Sequence, residues 1–185
     1  MKGIIPCCLL ILGLSACSSM MLDRGNDFLI PEAGLKLVQH THVKEDRNEN
    51  SLYLSSRRIE KDEYNSQSLN HLIHELRSSM HDWGGVGIAA NQVGKNIQLF
   101  LMEATRDSLW HDALENVSYR VFINPKITRA SEARRNFWHG CLSASGEQLG
   151  NVATYDWIEF EAYDAEGNMQ RGRLSGFAAV IFQHE

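Results

Sequence analysis

The chain has 185 residues, room for one domain and not comfortably for two, and 43% hydrophobic with 22% charged residues lets it bury a core. Its formal charge of -5, from 18 basic and 23 acidic side chains, offers no basic face to a nucleic-acid backbone and excludes a polyanion as the first partner to consider. Three of the four cysteines, Cys7, Cys8 and Cys17, crowd the N-terminus and leave Cys141 alone, so there is no disulfide framework.

Residues 1–17 open with Lys2 and an apolar run from Ile4 to Leu14. That run is too short to span a bilayer and suits the apolar core of a secretory signal. Leu14-Ser15-Ala16-Cys17 resembles the bacterial lipobox, in which Cys17 would carry a lipid. The implied protein is a membrane-anchored lipoprotein on a periplasmic or outer surface; a start at Met20 or Met21 would instead make it cytoplasmic. Residues 18–33 read as a tether into a domain spanning 34–185, and the charged, irregular stretch 40–66 reads as a solvated surface excursion.

Leu69, Leu72, Ile73, Leu76 and Met80 follow helical spacing, with Ser66 or Ser68 as N-cap and Gly84-Gly85 as the stop. Ile97–Met102 and Tyr119–Asn124 are short apolar runs closed by polar or Pro breaks, which predicts buried strands. Trp157–Ala162 alternates apolar with acidic residues, so it predicts a half-buried strand that turns through residues 164–168 into a partner at Met169–Leu174. Phe177, Ala178, Ile181 and Phe182 predict a helix from Ser175 to the end of the chain. Strands mixed with two separated helices give an α+β fold.

Three segments carry chemistry. Gly85-Val86-Gly87-Ile88-Ala89-Ala90-Asn91-Gln92 is a glycine-rich turn, Trp138-His139-Gly140-Cys141-Leu142-Ser143 holds the lone thiol between small residues, and Gln183-His184-Glu185 lies on the last predicted helix. In this order they resemble the three signature motifs of the peptide deformylases, which remove the N-formyl group from nascent bacterial polypeptides. The first resembles G-x-G-x-A-A-x-Q with every fixed position filled. The second resembles E-G-C-L-S with His139 where the family has Glu, and the third follows Q-H-E-x-D-H through its third residue. Phe122-Ile123-Asn124-Pro125 is also similar to a family segment, and the resemblance covers about residues 28 to 185.

The resemblance implies mixed strands around a C-terminal metal-binding helix, and hydrolysis of N-formylmethionyl peptides to formate and a free amine. It implies one divalent metal, Fe(II) with Zn or Ni able to replace it, held by Cys141 and His184. Ligand softness alone would favour Zn. Glu185 would be the general base, the Gln92 amide and the Leu142 N–H would stabilise the oxyanion, and Gly85, Val86 and Gly87 would line the peptide. The chemistry agrees with these residue types: amide hydrolysis near pH 7 needs an activated water, which a divalent metal with an open position supplies. Donors aimed at the developing oxyanion complete the requirement.

The motifs depart from the family at three places. The second histidine of the third motif would lie three residues past Glu185, which leaves two of three metal ligands and reads as a fragment or a premature stop. His139 replaces a Glu and reads as a structural histidine or one that supports a metal ligand from behind. Thr154 stands where the family usually has an Arg, which weakens the expected main-chain contacts to substrate. These departures, together with the leader, support a second reading: a non-catalytic formyl-peptide-binding lipoprotein without a complete metal site. His71, His74, His81 and His111 lack a matching carboxylate or thiol spacing and read as surface histidines.

Overall fold

In a computed structural model, residues 27–105, 115–144 and 149–185 are described. Helix α1 (Gln67–Asp82) begins at Ser66, whose hydroxyl accepts from the Leu69 N–H, and buries Leu69, Leu72, Ile73, Leu76 and Met80, the stripe its spacing predicts. It ends at Trp83, and Gly84 then takes the left-handed conformation (φ 71°) that reverses the chain toward the first motif.

Strands β1 (Gly87–Ala89), β2 (Leu99–Ala104), β3 (Val117–Ala130), β6 (Trp157–Tyr163) and β7 (Met169–Ser175) form one sheet in the order β1-β2-β3-β6-β7, with every neighbour antiparallel. Strands β4 (Arg134–His139) and β5 (Gly150–Tyr155) pair as a separate two-stranded ribbon, and α2 (Gly176–His184) follows β7 directly. The expected α+β architecture is what the chain adopts.

The continuous apolar run of β2 has a simple cause: both of its faces are covered. Leu99 and Leu101 pack with the α1 stripe, Ile59 and Phe28, while Phe100, Met102 and Ala104 pack with Ile181 and Phe182 of α2. Strand β6 keeps its period of two. Ile158, Phe160 and Ala162 point to the α2 side, and Glu159 and Glu161 on the other face pair with Arg173 and Arg171 directly across on β7.

Several expectations are corrected. The strand predicted to close at Asn124 runs through Pro125 to Ala130, because Asn124 takes a positive φ of 51° and the register shifts between Ile123 and Lys126. This irregularity absorbs the missing N–H of Pro125. The segment 40–66 is solvated only in part. Ile59 is 2% exposed, its N–H and C=O are both held by the Asn124 amide, and Arg57 forms a bidentate pair with Glu63. The stretch read as a tether is folded from Asp27 onward, with Phe28 in the core and Asp27 paired to Arg57. The glycine-rich turn contains a short strand, and β4 and β5 carry no strand signal in the sequence: their exposed, arginine-rich and polar residues give no clean alternation. Cys17 and the apolar leader lie outside the described residues, as does His111.

Candidate active site

The eight predicted site residues within the described fold line one cavity of about 1120 Å³: Gly85, Val86, Gly87, Gln92, Cys141, Leu142, His184 and Glu185. Three separate pieces of chain bring them there. Strand β1 and the 3₁₀ turn Ala90–Val93 carry the first motif, the loop after ribbon strand β4 carries Cys141 and Leu142, and the end of α2 carries His184 and Glu185. Phe137, Trp138 and Leu149 from the ribbon side and Phe177 and Val180 from α2 add an apolar wall.

The Gln92 side chain is buried and its orientation is fixed. Its Oε1 accepts from the Ala89 N–H at 2.8 Å, which turns the amide NH2 toward Ser143 Oγ (3.2 Å) and Cys141 Sγ (3.9 Å). A donor is thereby aimed at the thiol side of the cavity without freedom to invert. Gln39 Nε2 donates to the Leu142 carbonyl, and the His40 N–H donates to the Ser143 carbonyl, so the thiol loop is anchored from a second strand of chain.

Burial pushes the Cys141 thiol up, and the Glu185 carboxylate adds to that, while backbone N–H groups of Ser143 and Ala144 oppose it. Burial alone pushes Glu185 up to about 8, and burial lowers His184 and His139, so both rings favour the neutral form. Every one of these shifts runs against charge. A cation in the cavity would reverse the logic for the thiol and the carboxyl and take the lone pair of a neutral imidazole.

Gly87 is required by space. A Cβ there would fall on the Glu185 carboxylate oxygen and within 2.9 Å of Ile181 Cγ2. At Gly85 a Cβ would come 2.8 Å from Leu142 Cδ1.

A family model described as polypeptide deformylase matches residues 43–185. The chain belongs to the peptide deformylase family. It is 35% identical over 122 residues to peptide deformylase 2 of Pseudomonas syringae pv. tomato, covering 66% of this chain and 67% of that relative. Among solved structures, a class I type b peptide deformylase from Acinetobacter baumannii matches with a TM-score of 0.73 and 26% identity, covering 82% of this chain and 89% of that one. The structure of the same enzyme with Met-Ala-Ser bound matches with a TM-score of 0.72.

Two of the departures from the deformylase motifs touch each other. His139 Nε2 lies 3.3 Å from Thr154 Oγ1, and His139 Nδ1 lies 3.0 Å from His184 Nδ1. Thr154 is 6% exposed, so a small buried hydroxyl stands against the imidazole.

Ser143 and Gln183 carry no role in the motif chemistry, yet both hold the site together. Ser143 Oγ receives the Gln92 amide, and the Gln183 amide pairs with both backbone groups of Tyr155, accepting from its N–H (2.8 Å) and donating to its C=O (3.0 Å). Gln183 thus fastens α2 to ribbon strand β5. The only signal in the sequence was their place inside the second and third motifs.

Among the described residues, no group of three or more His, Cys, Asp or Glu is arranged to hold a metal ion. Cys141 and His184 are two donors of the softness a first-row divalent metal takes, and both line the cavity with Glu185. The side chains present therefore fit one end of such a site.

Proposed function

We propose that this chain removes the formyl group from N-formylmethionyl peptides, with Cys141 and His184 holding a divalent cation, Fe(II) by family and with Zn or Ni as replacements. The observation that carries the reading is the single cavity in which a thiol, an imidazole, a buried carboxyl and an oriented amide meet from three distant segments. When bound, the cation would lower the pKa of a water to ~7 and polarise the formyl oxygen.

The rest is the work of the chain. Glu185, held in a dry setting, takes a proton from the attacking water and returns it to the departing amine. The Gln92 NH2 and the Leu142 N–H stabilise the oxyanion, and the Oε1 contact keeps the Gln92 NH2 on the thiol side of the cavity. Gly85, Val86 and Gly87 line the cavity and would give a peptide backbone an edge to lie along, and the apolar wall receives the methionyl side chain. The Met-Ala-Ser bound by the Acinetobacter enzyme supports a tripeptide of that kind as substrate. Export and lipid attachment at Cys17 rest on residues 1–17 alone; labelling with radioactive palmitate, lost in Cys17→Ser, would establish them, and no label would remove them.

The test is formate release from N-formyl-Met-Ala-Ser by purified protein loaded in turn with Fe(II), Ni(II) and Zn(II). Formate is expected to appear with metal and vanish with Cys141→Ala, and Gln92→Ala should lower the rate ~100-fold. Folded protein that binds the formyl peptide yet releases no formate with any of the three metals would overturn the enzyme reading in favour of a binding protein.

A further inference from the structure

We propose that His139 is a positioning residue that fixes His184 as its Nδ1–H tautomer and leaves Nε2 as the nitrogen available to a cation. This rests on the reading of His184 as a metal ligand. The inference comes from a chain of four polar groups with a defined beginning. The Val152 carbonyl can only accept, and Thr154 Oγ1 lies 3.3 Å from it, so the hydroxyl donates there. A hydroxyl that has given its hydrogen away can only accept from its next neighbour, His139 Nε2 at 3.3 Å, which must then carry a hydrogen. A neutral imidazole with hydrogen on Nε2 has a bare Nδ1, and 3.0 Å from that lone pair is His184 Nδ1. His184 must donate, and its own Nε2 is left bare.

The ring geometry supports the direction. The two imidazoles are within 12° of parallel, and their centroids stand 5.3 Å apart while the facing nitrogens are 3.0 Å apart. The rings therefore meet edge to edge, the approach in which one in-plane lone pair faces one N–H. Thr154 is buried at the far end, so water does not compete for the hydroxyl. His139 sits at the last position of β4 and Thr154 at the fifth of β5, so the ribbon holds the relay in place beside α2. The pair thus explains why the two sequence departures occur together: an imidazole needs a hydroxyl behind it to become a pure acceptor toward His184, whereas a carboxylate is an acceptor already.

The experiment reads the imidazole nitrogens of the full chain by long-range proton–nitrogen NMR without metal, then measures Co(II) affinity from its visible spectrum. In the unaltered protein, His184 is expected to show a protonated Nδ1 and a bare Nε2, and His139 the opposite. His139→Ala should release His184 to the mixed tautomers of a free imidazole and weaken Co(II) binding about 10–100-fold. His139→Glu, which restores an acceptor, should recover both. Thr154→Val keeps the shape, removes the hydroxyl and should loosen both readouts in the same direction. A protonated Nε2 on His184 in the unaltered protein, or a tautomer and affinity that survive His139→Ala, would overturn the proposal. A His184 tautomer and Co(II) affinity as expected, with no formate released by any metal form, would sink the enzyme reading and leave this one standing.

Discussion

Gly87 shows how little room separates the first motif from the last. A methyl group there meets the Glu185 carboxyl oxygen and the Ile181 side chain, so Gly87→Ala must displace the carboxyl. A displacement of that order at a reacting group typically costs ~100-fold in rate. Formate release should fall by about that factor while the unfolding temperature moves little; unchanged turnover would mean that Glu185 is not held where it acts. Asn124 is a residue of the other kind, structural and distant from the cavity. Its amide satisfies Ile59 N–H and C=O and the Tyr64 hydroxyl, and its φ of 51° is one that Asn tolerates better than most side chains. Asn124→Ala leaves buried backbone groups unpaired and should cost about 2–3 kcal/mol in urea unfolding.

At the scale of elements, α1 is tied to β2 by Glu103, which receives a bidentate Arg77 and also His81, four residues further along the helix. Hydrogen bonding to Arg77, and secondarily to His81, holds the Glu103 carboxyl below the usual carboxylate range. A depressed folded-state pKa means that the contribution is fully present above the unfolded value of ~4.3 and fades as pH falls through the lower folded value. The gap in stability between the unaltered protein and Glu103→Gln should therefore be present at neutral pH and close in strong acid. Arg77 is 42% exposed, so screening limits the gap to about 1 kcal/mol. Unfolding curves at several pH values read it, and a gap that widened in acid would contradict the assignment.

For the whole molecule, what the sequence made legible followed from burial. The stripe of α1, the two-sided burial of β2 and the alternation of β6 each wrote the surroundings of an element into its residue order. The ribbon β4–β5 was illegible because so little of it is buried: Trp138 and Val152 are exposed, and Arg134 and Arg135 face solvent. Pro125 misled because the bulge that accommodates it depends on Ile59, more than sixty residues earlier. The site residues were legible only through their motifs, since no local pattern reveals that the Gln92 amide, the Cys141 thiol and α2 share a cavity. A cation that binds only the assembled cavity must also stabilise the fold. Zn(II) at a hundredfold excess over its dissociation constant should add about 2.7 kcal/mol against unfolding, read as a rise in Tm that a chelator reverses.

The amide of Gln183 bonded to Tyr155 acts as a rotational lock. One residue of slippage along α2 would swing its neighbour His184 by about 100° around the helix axis. The imidazole would then leave both its histidine companion and the chamber it faces. A single side chain thereby sets the angle at which α2 presents its working groups.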